Sequence, residues 1–311
     1  MTLRQTKTHR FVWPMMATAL VVSWSSGFVG IRYASENADV MLVLFWRTLM
    51  SGLILLPFAL LIGSRINARA LIQQMVFGVA TMFLYLGGFA LAIGQRVPTG
   101  LVALISDLVP LAIAALSQPV LGHRLTGRQW IGTALGVTGV LIVSLDNLTL
   151  GTAPVWAYVL TVASMTVLAL ATVVQKRMGT INMPIHQSLC IQCLTAAILF
   201  AACAQWNGGL TPPLDARFGF GIAWLVLFST FFCYGTYYAS LRLYTASQVG
   251  SVIYLSPPVT MLWGWSMFGE PLSTAMFLGL AVTLFGVWYT SSRSPAKDEA
   301  GLSPVSSISG R

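Results

Sequence analysis

Residues 102–122, VALISDLVPLAIAALSQPVLG, and residues 249–269, VGSVIYLSPPVTMLWGWSMFG, superpose without a gap at a shift of 147 positions. The alignment sets Val102 on Val249, Leu108 on Leu255, Pro110 on Pro257 and Gly122 on Gly269, and runs on through Leu125 on Leu272, Gly132 on Gly279 and Gly139 on Gly286. Matched Gly and Leu are cheap in an apolar chain. A proline in the middle of both runs is not, so the chain reads as an internal duplication. A weaker match at a shift of 145 sets Val40-Met41-Leu42 on Ile185-His186-Gln187 and Arg32 on Arg177, and one small gap reconciles the two shifts.

The runs sit in a chain of 311 residues that is 56% hydrophobic and 8% charged, with a mean hydropathy of +0.78. Soluble proteins carry about 25% charged residues, so a large soluble fold is excluded. Apolar runs cover residues 12–31, 40–62, 72–94, 98–121, 129–145, 154–175, 185–206, 219–241, 247–267 and 273–291. Each approaches the roughly 20 residues a helix needs to cross the hydrocarbon core. They are continuous and rich in Leu, Ala and Val, which suits helices that satisfy their own backbone and not alternating barrel strands. The expected fold is all-α and polytopic, with ten transmembrane helices. Five spans per copy is an odd number, so the second copy enters the membrane in the opposite sense. Two inverted five-helix repeats, 12–145 and 154–291, then surround a central cavity. A cytoplasmic tail, 1–11, precedes them, and a disordered cytoplasmic tail rich in Ser, Pro and Gly, 292–311, follows.

The net charge of +9 would suggest nucleic acid in a soluble protein. Here the basic residues sit at the ends of apolar runs. With the N-terminus in the cytoplasm, Arg4, Lys7, Arg10, Arg65, Arg69, Arg124, Arg128, Lys176, Arg177, Arg242, Arg293, Lys297 and Arg311 lie inside, against Arg32, Arg96 and Arg217 outside. That bias places both termini in the cytoplasm of a multi-pass protein of a bacterial-type inner membrane. The basic start mimics a signal peptide and reads as a retained anchor. Cys190, Cys193, Cys203 and Cys233 all fall in apolar runs, which fits neither a disulfide framework nor a zinc site. His9, His123 and His186 are far apart, and no nucleotide-binding loop or acid pair occurs within the spans. No catalytic residue, metal or cofactor is expected.

Trp24-Ser25-Ser26-Gly27, Arg47, Pro110, Gly132 and Gly139 in the first copy, with Pro257, Gly269-Glu270-Pro271-Leu272-Ser273, Gly279 and Gly286 in the second, resemble the ten-helix EamA-type members of the drug/metabolite transporter superfamily. The first copy departs from that pattern by carrying Gly122-His123 where Gly-Glu is usual. The resemblance implies a helical basket whose cavity is lined by spans one, three, four, six, eight and nine, with spans five and ten as buttresses. It also implies export of small metabolites, and the chain looks most like the exporters of amino acids, aromatic ones included.

Asp107 lies near the centre of span four, where a charge costs on the order of 2.5–3.5 kcal/mol by insertion scales and so faces a cavity or a partner. It is read as a substrate contact, with a salt bridge to Arg47 as the structural alternative. Arg47, two turns into span two, is read as a snorkelling structural residue. Tyr254 superposes on Asp107, and the pair is expected to line one cavity across the pseudo-two-fold axis. Pro110 and Pro257 are expected hinges. Trp24, Tyr85, Tyr234, Tyr237 and Tyr238 are expected to line the cavity, where water or substrate can serve buried hydroxyls. A mostly apolar, aromatic cavity does not suit phosphorylated ligands. It suits a neutral or aromatic amino acid, moved by alternating access, with efflux of drugs or lipophilic cations as the alternative. The partners expected are a small-molecule substrate and membrane lipid, with no nucleic acid and no obligatory protein partner. Cysteines introduced at positions 123 and 270 should label from opposite faces of intact cells; labelling from the same face would end the inverted five-plus-five reading.

Overall fold

The computed structural model describes residues 5–63, 65–121, 126–149, 153–178, 183–244 and 246–291. His123 and the 292–311 segment lie outside the described residues. All regular structure among the described residues is helical, with no strand. Among the described residues, seven helical segments are long and apolar enough to cross a membrane, and shorter apolar helices occupy Trp130–Asp146 and Thr274–Tyr289.

The chain opens with α1, Gln5–Ala34, which begins inside the segment expected to be a tail, and α2, Val40–Leu61. Next come α3, Ala68–Gly78, a π-helical stretch Val79–Tyr85, and α4, Leu86–Gly94, stacked as one rod. Then follow α5, Thr99–Ser106, α6, Val109–Leu121, α7, Gly127–Thr149, and α8, Val155–Met178. The last third comprises α9, Ile185–Asn207, α10, Ala216–Trp224, a second π-helical stretch Leu225–Phe232, α11, Cys233–Leu243, α12, Ala246–Ile253, α13, Ser256–Phe268, and α14, Thr274–Ser291. Side-chain caps start several of them: Asp39 accepts from the N–H groups of Met41 and Leu42 at α2, Asn67 from Ala70 at α3, and Asp215 from Arg217 at α10.

The repetition is carried in the backbone. Helix α5 stops at Ser106, a turn spans Asp107 and Leu108, and α6 resumes with Pro110 at its second residue. Likewise α12 stops at Ile253, a turn spans Tyr254 and Leu255, and α13 resumes with Pro257 at its second residue. A proline ring collides with the carbonyl of the residue four positions earlier. Those residues are Ser106 and Ile253, where the helices end. The kinks expected from sequence are full breaks. The two π-helical stretches fall at matching places as well, Val79–Tyr85 and Leu225–Phe232, and nothing in the sequence pattern announces them.

Helices α7 and α14 pack along their lengths through glycines. A Cβ at Gly139 would sit 2.4 Å from the Gly279 carbonyl oxygen, and one at Gly286 would sit 2.8 Å from that of Gly132. Shifting by 147 turns the first pair into the second, as a pseudo-two-fold axis requires. Helix α2 packs against α9, and these begin at Val40 and Ile185, the positions matched by the 145 shift. Gly139→Ala should lower stability by about 1–3 kcal/mol through overpacking against backbone. Gly127→Ala, with no atom within 4 Å of the added carbon, should be neutral or slightly stabilising. Thermal unfolding in detergent compares the two.

Candidate functional site

A cavity of about 750 Å³ occupies the interior, within the ~300–1,000 Å³ common for small-molecule sites. Its walls come from α1, α2, the α3–α4 rod, α8, α9 and the α10–α11 rod. The lining extends to Gln73, Gln175, Met183 and Ile185, near the start of α3, the end of α8 and the start of α9. The cavity therefore reaches the end of the bundle that carries the α2–α3 and α8–α9 connections.

One wall is aromatic. Trp24 and Tyr237 have ring centroids 6.3 Å apart, Tyr237 and Tyr238 are 5.3 Å apart, and Tyr238 and Tyr234 are 6.3 Å apart with nearly parallel planes. Tyr85 stands at the end of the first π-helical stretch and meets Phe89 edge-on at 5.1 Å. Of the six aromatic residues singled out by sequence, Trp24, Tyr85, Tyr234, Tyr237 and Tyr238 line this one space, and Tyr254 does not. The wider π turn rotates the side chains that follow it, and in both copies polar groups of that stretch, Thr81 in one and Ser229 and Thr230 in the other, front the cavity.

The facing wall is polar. Arg47 is 9% exposed, and its Nη2 donates to Ser229 Oγ at 3.1 Å. It does not snorkel: it points inward from the face of α2 that also carries Ser51, one turn on. Nor does it pair with Asp107, whose Oδ2 accepts from Ser256 Oγ instead. Gly27 makes room for this contact, because a Cβ there would stand 2.7 Å from Ser229 Oγ. Towards the open end, Gln192 donates to Gln74 Oε1 at 2.8 Å, and its Oε1 stands 3.4 Å from Thr81 Oγ1.

Asp107 and Tyr254 are not among the lining residues. They occupy the paired helix breaks, which abut: Ser256 Oγ donates to Asp107 Oδ2 at 3.2 Å, and Ser25 Oγ donates to the Ser256 carbonyl at 3.2 Å. Asp107 is 7% exposed. At the end of the bundle away from the cavity mouth, Glu270 reaches across to α5. Its Oε2 accepts from Thr99 N at 2.9 Å and Thr99 Oγ1 at 2.8 Å, and Arg32 Nε stands 4.0 Å from Oε1, at the outer edge of ion pairing. Pro98, at the α5 N-cap, makes no side-chain cap bond. The carboxylate from the other copy supplies the missing cap.

The profile described as the EamA-like transporter family matches two successive segments, residues 12–145 and 155–292. The chain belongs to the EamA-like transporter family. It is thus a membrane transporter of the drug/metabolite transporter superfamily and not an enzyme. Over 272 residues it is 26% identical to the Escherichia coli protein named "Uncharacterized inner membrane transporter YedA", covering 86% of this chain and 87% of that one. It is 24% identical over 290 residues to the Escherichia coli "Probable amino-acid metabolite efflux pump", covering 88% and 93% of the two chains. It is 25% identical over 311 residues to the "Probable terminal-alkyne amino-acid exporter" of Streptantibioticus cattleyicolor, covering 96% and 99%. A solved crystal structure superposes with a TM-score of 0.62 at 17% identity, over 88% of this chain and 94% of its own, which shows a shared fold.

Within this EamA-like chain the lining differs from what the resemblance implied. The rods α5–α6 and α12–α13, spans four and nine in the sequence reading, contribute no lining residue, while α2 and α9, spans two and seven, contribute several. Helix α13 packs against α5, and the two broken rods fill the bundle beside the cavity. Sequence reasoning missed Arg47, Ser51, Gln74, Gln192 and Ser229 as cavity groups. The spacing of Arg47 and Ser51 on one face of an apolar helix was the available signal.

Burial raises the Glu270 carboxyl above its ordinary range, against the opposing pull of its Thr99 bonds. The folded protein then holds this proton more tightly than the unfolded chain. That stabilisation is complete below the ordinary carboxyl pKa of about 4.3 and is lost as pH rises through the raised value. The melting temperature in detergent should accordingly fall as pH rises through that window. Glu270→Gln should flatten the dependence while its carbonyl still accepts from Thr99.

Proposed function

We propose that this transporter exports small metabolites across the inner membrane, with neutral and aromatic amino acids the leading substrates, by alternating access. The observation that carries the reading is the aromatic cavity. It reaches one end of the bundle, while the opposite end is bridged by Glu270, Thr99 and Arg32. In this reading ten helices cross the membrane as two inverted five-helix repeats, 12–145 and 154–291, with both termini cytoplasmic. The cavity mouth is then the cytoplasmic end. Trp24, Tyr85, Tyr234, Tyr237 and Tyr238 hold the substrate, since large rings offer apolar area and a face for an ammonium group. Asp107 and Tyr254 act at the two breaks, where Pro110 and Pro257 serve as hinges, because interrupted helices bend where the hydrogen-bond ladder is already open. The names of two relatives, an amino-acid metabolite efflux pump and an amino-acid exporter, support the substrate class.

Proteoliposomes containing the purified protein should move labelled phenylalanine, tyrosine or tryptophan in preference to charged amino acids. The same panel run with and without an imposed pH gradient reports proton coupling. Efficient flux of quaternary ammonium dyes with no amino-acid flux would replace this reading with cation efflux.

A further inference from the structure

Arg47 sets a charge-balance problem inside the cavity. A guanidinium keeps its proton in a protein. Arg47 sits in the bundle interior, and its one hydrogen-bond partner among the described residues is the neutral Ser229 hydroxyl. Tyr85, Cys193, Cys233 and Tyr234 stand around it, and none of them is a carboxylate. An unpaired charge in a low-dielectric interior is costly, and a bound counter-ion relieves that cost. A guanidinium presents five donors in a planar fork, and one bond to Ser229 leaves most of that fork available.

A second group beside it points the same way. Ser51 lies one helical turn beyond Arg47 on α2, is 1% exposed and lines the cavity, and its hydroxyl has no hydrogen-bond partner among the described residues. Buried hydroxyls without partners are uncommon in native proteins. Arg47, Ser51 and Ser229 thus gather donors in one place, opposite a wall of rings. A planar anion with two oxygens matches a fork with an adjacent hydroxyl.

We infer that Arg47, with Ser51 and Ser229 beside it, is the carboxylate-binding subsite of the cavity, so the substrates are small carboxylates whose apolar part lies against Trp24 and the tyrosines. This rests on the transport reading above and narrows it. A zwitterionic amino acid meets the requirement, and so does an aromatic acid without an amino group. A lipophilic cation is repelled by the buried guanidinium, which no carboxylate among the described residues pairs with.

The test measures inhibition of labelled phenylalanine flux into proteoliposomes by 3-phenylpropionate, which keeps the carboxylate and lacks the amine, and by phenylethylamine, which does the reverse. In the wild type, 3-phenylpropionate should compete within a few-fold of unlabelled phenylalanine, and phenylethylamine should need at least tenfold more. Arg47→Gln should raise the KM for phenylalanine at least tenfold. In a detergent thermal-shift assay, 3-phenylpropionate should stabilise the wild type and not the variant. Competition by phenylethylamine equal to that by phenylalanine overturns the inference, as does an unchanged KM in a monodisperse Arg47→Gln protein. If that variant does not fold, the wild-type competition decides alone. Amino-acid flux that ignores Arg47 removes the subsite and leaves the transport reading standing. Arg47-dependent stabilisation by 3-phenylpropionate without amino-acid flux keeps the subsite and removes the amino-acid reading. Neither flux nor stabilisation removes both.

Discussion

A backbone amide or carbonyl inside hydrocarbon must find its partner within the protein, and each departure of this chain from plain α-helix has to meet that demand. Among the described residues the apolar helices depart four times, at two π-helical stretches and two proline breaks, and side chains serve backbone carbonyls beside them. Thr81 donates to the Phe77 carbonyl at 2.7 Å beside the first π stretch, and Thr230 donates to the Leu225 carbonyl at 3.0 Å within the second. At the breaks, Ser25 Oγ donates to the Ser256 carbonyl, and Ser256 Oγ donates to the Asp107 side-chain carboxylate. The irregular backbone either borders the cavity or is buried against another helix. Both are places where it is tolerated.

The sequence made the duplication legible because proline and glycine constrain backbone directly. Pro110 and Pro257 ended their helices where the ring meets the carbonyl four residues back, and Gly132, Gly139, Gly279 and Gly286 became the points where α7 and α14 touch backbone to backbone. The π stretches were invisible because a widened turn needs no particular residue type; it reflects packing against neighbours. Arg47 was misread for a related reason. Its distance from the helix end, about 10 Å for seven residues, is within reach of the interface, but that distance says nothing about which side of the helix the residue occupies. Rotation is set by α2 packing on α9, where Gly52 closely accommodates Leu194, and that turns Arg47 inward. Asp107 and Tyr254 were matched correctly as equivalents. Their rods pack together, which removes them from the cavity wall.

Polarity in the cavity is unevenly placed, and this gives it a direction. The rings of α1, α4 and α11 offer area with little demand for charge, whereas the α2 face offers a fixed positive group and hydroxyls. The amide pair Gln74–Gln192 lies nearer the mouth and is bonded to itself, with Thr81 Oγ1 beside it. Deep polar groups are thus less satisfied than shallow ones: Arg47 has one hydrogen-bond partner and the Ser51 hydroxyl has none among the described residues.

The two copies are alike in backbone and unlike at their ends. Glu270 caps α5 through Thr99, so one end of the bundle is held by a carboxylate from the other copy. Under the 147 shift the corresponding positions are His123 and Ala246, which offer neither a carboxylate acceptor nor a hydroxyl donor. The sequence therefore does not repeat the Glu270–Thr99 pair at those positions. In the alternating-access reading proposed above, a symmetric duplication would supply two conformations related by exchange of the copies, equal in energy if their contacts were identical. Loss of one cap, typically worth about 0.5–2 kcal/mol, biases the balance by a factor of about 2 to 30 from that contact alone. In that reading, the sequence difference at positions 123 and 246 would favour the arrangement in which the Glu270–Thr99 contact is made.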